Sequence, residues 1–397
     1  MKRIIIPRKK TIFCCLISSF LAANSYAQAV DLFDDDNLTS PKQNEAKTEE
    51  NVQFSDKNSE TTQDNDSADK NAGMLSFITK PISLLFSAND KVTASDGKEE
   101  TFLEKSTRQA KEGKLEDQMN LAYMYLYGTN GVKQDFDKAF DFYQMAAEQN
   151  DPIALNNLGS LYFNGIGTEA DAKKAIEMFS KAAELGNDNA ATNLAFIYLK
   201  GGVKDAARNK IAMNLFKKAA DSGNNVAKFM TGYAYYIGFV FEQDYDMAFK
   251  LIRSASGKDS NLDEAQLILS DMYIKGQGTV QNFNKGIAAC RAAVNQGNSE
   301  AYIKLARIYT EGKITQPNLL MAHSLYNIAA VLNEPKAAEY RDKIGASLQL
   351  DQLLQAQNEA QNFKPHPSEL TMYVRQTFGF DIRSYIDMNV ITTKERK

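Results

Sequence analysis

The chain has no tryptophan, two histidines, three cysteines and eight prolines among 397 residues. Each scarcity excludes something. Cys14 and Cys15 stand at the start of an apolar stretch near the amino terminus, which leaves Cys290 alone in the remainder. One thiol makes no internal disulfide, so burial has to hold the fold, and a chain this long can bury enough apolar surface. Cys290 itself reads as a small buried hydrophobe. His323 falls in a helical stretch and His366 lies between Pro365 and Pro367 in a turn pattern; neither has a nucleophile or metal-ligand spacing. Gly165–Gly167 and Gly276–Gly278 lack the preceding strand and the third glycine or Gly-Lys-Thr ending of a phosphate loop. Acidic pairs such as Glu99-Glu100 lie in flexible polar sequence, where nothing holds two carboxylates in catalytic geometry. We therefore assign no catalytic residue, no metal and no cofactor, and read the chain as a non-enzyme.

Basic charge is also in short supply. The net charge is −4, although residues 1–27 carry five basic and no acidic groups. Residues 28–100 hold sixteen acidic against seven basic side chains, which leaves residues 101–397 neutral. Without a basic field to attract phosphates, nucleic acid is not an expected partner.

The amino-terminal residues read as an export signal. Lys2, Arg3, Arg8, Lys9 and Lys10 form a basic head, Thr11 to Ala23 an apolar stretch, and Ser25-Tyr26-Ala27 a cleavage site with small residues at its two inspected positions. That stretch is shorter than the ~20 residues of a membrane-spanning helix, so an uncleaved anchor is the lesser alternative. Residues 1–27 are thus expected to be a signal peptide and the mature protein periplasmic or secreted. Residues 28–100 then read as an acidic disordered segment, because their composition cannot bury enough to offset the entropy of ordering. Within them residues 74–86 form an apolar island, interrupted by Pro81. It could dock on the folded part, on a partner or on a membrane surface, the one membrane contact expected.

The rest of the chain repeats itself every 36 to 38 residues. Tyr-x-x-Gly recurs at Tyr125/Gly128, Tyr162/Gly165, Tyr198/Gly201, Tyr235/Gly238, Tyr273/Gly276 and Tyr309/Gly312. Three residues before each Tyr stands a small residue, Ala122, Gly159, Ala195, Gly232, Ser270 or Ala306. A second small site follows about twenty residues later, at Ala146-Ala147, Ala182-Ala183, Ala219-Ala220, Ala255, Ala292-Ala293 and Ala329-Ala330. The spacing predicts a helix through each Tyr, ended by the glycine, then a turn and a second helix starting near Lys138, Lys174, Met247 or Met321. Small residues permit close helix approach, and each pair must stack on the next to bury its faces.

These motifs resemble the Sel-one-like repeat family, a relative of the tetratricopeptide repeats. Residues 154–186 carry the likeness most fully: Ala154, Leu158, Gly159, Tyr162, Gly165, Gly167, Lys174-Ala175, Phe179, Ala182-Ala183 and Gly186. The resemblance implies an all-α fold, a right-handed α/α superhelical solenoid of helix-turn-helix repeats. Residues 101–113 would then be an amino-terminal capping helix, 114–334 six repeats, 335–364 carboxyl-terminal capping helices, and 365–397 a tail with an extra helix or partner motif. Local irregularity is expected in the fourth unit, where Thr231 replaces Leu and Ser254-Ala255-Ser256 the Ala pair, and at Gln316-Pro317 in the sixth. The family further implies a protein-interaction scaffold, here an exported adaptor of the bacterial envelope. A glycan or cell-wall ligand-binder, or a secreted factor that binds a host protein, are the alternatives.

In this family the first helix of each unit lines the inner, concave wall. Positions −5, −2 and +2 from each Tyr share one helical face and vary between units. Two candidate patches follow. Tyr123, Tyr127, Phe196 and Tyr233 supply rigid aromatic surface flanked by Asn120, Asn157, Asn164 and Asn193. Asp271, Lys275, Lys304 and Arg307 could orient a partner electrostatically. The competing role for the apolar members, Phe196, Met230 and Ile237, is packing between units.

Export has a direct test: amino-terminal sequencing of the native protein should start at Gln28, or at Val30 if cleavage follows Ala29. A soluble cytoplasmic form retaining Met1 would refute it.

Overall fold

The computed structural model of the chain describes residues 88–93, 99–200, 205–257, 261–379 and 381–387. Residues 1–27, expected to be a signal peptide, residues 28–87 with the apolar island, and residues 388–397 lie outside the described residues. The chain divides after Leu185 into two compact units.

The first unit opens with a hairpin of β1 (Lys91–Thr93) and β2 (Glu99–Thr101), antiparallel, with Val92 opposite Glu100. This hairpin falls in the stretch whose composition suggested disorder. Its anchorage lies outside its own residues. Ala88 donates its amide to Asn130 O and is buried with Met124 and Val132, against Phe102, Leu103 and Tyr125. A short polar strand pair gains order from a surface already built by the helices behind it. There follow α1 (Phe102–Lys111), α2 (Leu115–Tyr127), α3 (Phe136–Glu148), α4 (Pro152–Asn164) and α5 (Ala172–Glu184), each packed on the next.

The second unit continues the alternation. First helices are α6 (Asp188–Lys200), α8 (Asn225–Ile237), α10 (Asp263–Lys275) and α12 (Ser299–Glu311). Second helices are α7 (Ala206–Asp221), α9 (Tyr245–Ala255), α11 (Phe283–Asn295) and α13 (Leu319–Val331). α14 (Ala337–Gly345) and α15 (Leu350–Asn362) both pack on α13, and α16 (Glu369–Thr377) comes last. The expected all-α class holds: within each compact unit tandem helix-turn-helix pairs stack neighbour upon neighbour, as in a helical solenoid.

Local chemistry sets the boundaries. Every second helix starts on an Asp or Asn whose side chain accepts an amide of the first turn: Asp135, Asp171, Asp205, Asp244, Asn282 and Asn318. The described Tyr-x-x-Gly glycines, at 128, 165, 238, 276 and 312, all end their helix with φ between 62° and 74°. Two turn glycines are constrained further. A Cβ on Gly167 would lie 2.1 Å from Phe136 O, and one on Gly278 2.0 Å from Tyr245 O, both on the second helix of the preceding unit. The fourth unit has Val240 at the matching position, and it is forced to φ 63°. The irregularity expected in that unit thus falls on its turn as well as on its shortened second helix.

Some of the repeated Tyr rings join repeats, while Tyr125 and Tyr235 stack on Phe142 and Phe241 of their own. Tyr162 meets Phe140 of the preceding unit edge-on at 5.2 Å, and Tyr273 meets Phe249 at 5.4 Å. Lys174 and Lys285, from the second helices of their own units, lie over the same two rings at 5.1 and 5.6 Å. Cys290 is buried in the core around α11–α13, its Sγ 3.7 Å from Ala301 O, and burial pushes its thiol up to about 11.

Polar links cross between units too, and one corrects the sequence reading. Lys304 is buried; its Nζ donates to Leu267 O at 3.1 Å and pairs with Asp271 at 3.0 Å, both on α10. It staples α12 to α10 and is not presented to a partner. Arg307, one turn on, is exposed.

Two measurements check this packing. In Gly159→Leu the new Cβ would stand 3.0 Å from the Phe179 ring and 3.3 Å from Ala175 O. The overpacking should cost ~1–3 kcal/mol in chemical denaturation; an unchanged midpoint would mean that this face is not the packed one. Lys304→Glu should cost about 3 kcal/mol or more, since it places a second carboxylate beside Asp271 in a buried site. Arg307→Glu should stay within about 0.5 kcal/mol of wild type. Equal effects would return Lys304 to the surface.

Candidate interaction surface

The variable positions of the first helices behave differently in the two units. In the first, Asn120 and Asn157 are buried in the array, and Asn164 turns back to donate to Ser160 O at 2.8 Å. Tyr123 and Tyr127 stay on the surface as a tilted pair with ring centroids 4.8 Å apart, and Tyr127 is 48% exposed. Beneath them Tyr143 of α3 is fully buried, its hydroxyl pushed well above the usual tyrosine range by desolvation.

In the second unit Asn193 is buried, and Phe196 and Tyr233 are buried by a segment from the chain's own carboxyl end. Phe378 stacks on Phe196 at 4.0 Å, and Tyr385 meets the same ring at 5.1 Å; from behind, Phe216 of α7 supports it at 5.0 Å. The Tyr233 hydroxyl donates to Asp387 at 2.7 Å, and the Arg383 guanidinium lies 6.0 Å from the Tyr233 ring centroid. Farther along the row, Lys275 is exposed and Asp271 is engaged by Lys304. Of the twelve candidates, the structure leaves Tyr127, Lys275 and Arg307 exposed and Tyr123, Asn164 and Asp271 half-buried, and it covers the rest.

Sequence reasoning missed the acidic pair that receives this segment. Asp263 and Glu264 open α10 and are buried. Arg375 reaches Asp263 at 2.6 Å, while Arg383 reaches Glu264 at 3.1 Å and Glu300 at 2.7 Å. Ile382 N also donates to Glu264 at 2.9 Å. Burial pushes the Glu264 carboxyl upward, with Arg383 pulling the other way. The Thr371 hydroxyl accepts from Asp263 N at 3.1 Å and donates to Gln296 at 2.7 Å. The helix starting at Glu369 is capped by Ser368, whose Oγ also donates to Asn261 O. One sequence signal was available: the residue before α10 is Leu262, where four of the other five first helices have Asp or Asn and α2 has Lys114.

Of the two histidines, His366 belongs to the carboxyl-terminal segment and His323 lies in α13. His323 is buried in α13, where desolvation lowers its pKa, and His366 is exposed with its amide on Asn295 O. Among the described residues no group of three or more His, Cys, Asp or Glu side chains could hold a metal ion. The surface offers aromatic faces, helix-start carboxylates and buried amide acceptors, a set suited to recognising polypeptide.

The Sel1 repeat model matches residues 115–151, 152–187, 188–224, 225–260, 263–298 and 299–333. Among solved structures, a protective antigen present in uropathogenic Escherichia coli strains and displaying an SLR fold is 27% identical, with a TM-score of 0.60. The likeness covers 68% of this chain and 58% of that antigen, so the chain spans less than two thirds of its length. A Sel1 repeat protein from Oxalobacter formigenes is 26% identical over 58% of this chain and 99% of its own, with a TM-score of 0.48. A search of curated proteins finds none that matches. Proteins built from this repeat generally mediate protein–protein interaction, and the repeat is a non-catalytic scaffold type. With six matched repeats spanning more than half of its length, the chain belongs to the Sel1 repeat family.

Proposed function

We propose that the chain is an exported scaffold of the bacterial envelope that binds a partner protein on the face formed by its first helices. One observation carries this reading. In the second unit that face takes up a stretch of polypeptide through side chains that vary between repeats, Phe196 and Tyr233 among them. In the first unit the equivalent positions offer Tyr123 and Tyr127, two large rings with low side-chain entropy. Such rings, once desolvated, carry a large share of interface energy. Export follows from the basic head, apolar stretch and small-residue cleavage site of residues 1–27.

The test is affinity capture from an envelope fraction with the full chain, wild type beside Tyr123→Ala with Tyr127→Ala. A specific protein partner should be recovered by the wild type. Loss of the two rings should weaken its binding by ~2 kcal/mol, roughly 30-fold, with circular dichroism and melting unchanged. Retention on wall polymer instead of protein would favour the glycan-binder, and equal recovery by the folded variant would remove this face from the interface.

A further inference from the structure

We infer that the first-helix face of the second unit is a binding site for a basic, aromatic, helix-forming peptide segment, and that residues 365–379 and 381–387 occupy it as a resident intramolecular ligand. The partner it fits carries the same chemistry: a hydroxyl side chain at a helix start, an arginine one turn on, an aromatic ring, then a second arginine. Such a partner enters by displacing the resident. The inference rests on the reading of this face as a protein-binding surface and narrows it to one ligand class.

The receiving side is incomplete without an occupant. α4, α6, α8 and α12 begin at Asp151, Asn187, Asn224 and Asn298, each accepting an amide of its own first turn. α10 begins after Leu262, which makes no side-chain cap. Its Asp263 amide is satisfied by Thr371, 108 residues away, at 3.1 Å. Leaving such a group unpaired under cover is costly, so the helix start selects an occupant that brings an acceptor. The same start presents two buried carboxylates. Asn298 donates to Asp263 from within the array, but the guanidiniums facing the pair, Arg375 and Arg383, both come from the occupant. Buried carboxylates of this kind need cations, which makes the site selective for a basic segment.

The occupant is bound as a ligand is bound. α14 and α15 continue the stacking of α13 as further helices of the array. The 365–387 segment instead inserts anchors: Phe378 against Phe196, and Ile382 and Ile386 fully buried. Its remaining bonds go to loop and helix-start groups of the fifth unit and its neighbours, Asn261 O, Asn295 O, Gln296 and Glu300. Because it is covalently joined, the resident competes at high effective concentration, so an incoming segment binds weakly until the resident is loosened.

The experiment uses the full chain and a labelled synthetic peptide of residues 365–387, read by fluorescence anisotropy. Phe378→Ala with Arg383→Glu weakens the resident while leaving the receiving residues intact. This variant should bind the peptide at least tenfold more tightly than wild type, and a peptide carrying Arg375→Glu and Arg383→Glu should not bind. Hydrogen exchange should show residues 365–387 deprotected with α6 to α13 still protected. Two results overturn the inference: a folded variant that binds the peptide no better than wild type, or loss of protection in α6 to α13 together with the segment, which would make it a fixed part of the core. Both readouts concern the second unit, so they stand or fall separately from the capture test on Tyr123 and Tyr127.

Discussion

A helical hairpin of two thirteen-residue helices cannot cover its own apolar surface, and the rest of this structure follows from that limit. Its two helices meet through a small residue, as at Gly159 against Phe179, and this close approach leaves the far side of the pair apolar. The next hairpin must cover it. At Tyr162 and Tyr273 the repeated tyrosine lies in that seam, edge-on to a phenylalanine of the preceding repeat, with a lysine of its own repeat over the face. Burial of this kind holds the repeats together, and among the described residues the one cysteine, Cys290, is free.

Stacking solves the problem inside an array and moves it to the ends. At the amino-terminal end Ala88, with Phe102 and Leu103 of α1, covers Met124 and Val132. At the other, Ala337 and Ile344 of α14 join the cluster around Tyr302, Leu305 and Tyr326. These additions do not carry the repeat motif, because a covering element needs only one apolar side.

Polar pairing and packing meet at the start of α10. Most first helices satisfy their own first-turn amides with an Asp or Asn, whereas this one has Leu262 followed by two acids that end up buried. Taken alone, that helix start carries an unmet amide and unneutralised carboxylates. The carboxyl-terminal segment supplies a hydroxyl and two arginines, and it closes over Phe196 and Tyr233 in doing so. In the second unit the variable positions Phe196 and Tyr233 are thereby covered, whereas in the first unit Tyr127 is 48% exposed.

Period, helix boundaries and the seam tyrosine were legible in the sequence because each depends on residues a few positions apart. An asparagine or aspartate caps its own helix, a glycine ends it, and a small residue recurs at one helical spacing. The roles of the variable positions were not legible, since the same face of a helix can meet solvent, a neighbouring unit or a distant segment. Lys304 reads as a surface charge until Leu267 O and Asp271 surround it. Phe196 reads as either core or contact, and is a contact made internal by Phe378. The pairing of Asp263 with Arg375 spans 112 residues and that of Glu264 with Arg383 spans 119. Nothing local distinguishes those arginines from any others in a charged tail. Local chemistry alone determined that this chain is a stack of helical hairpins. Only the tertiary structure decided which first-helix residues of the second unit are covered, because that depends on where Phe378, Arg383 and Tyr385 pack, far along the chain from the residues they meet.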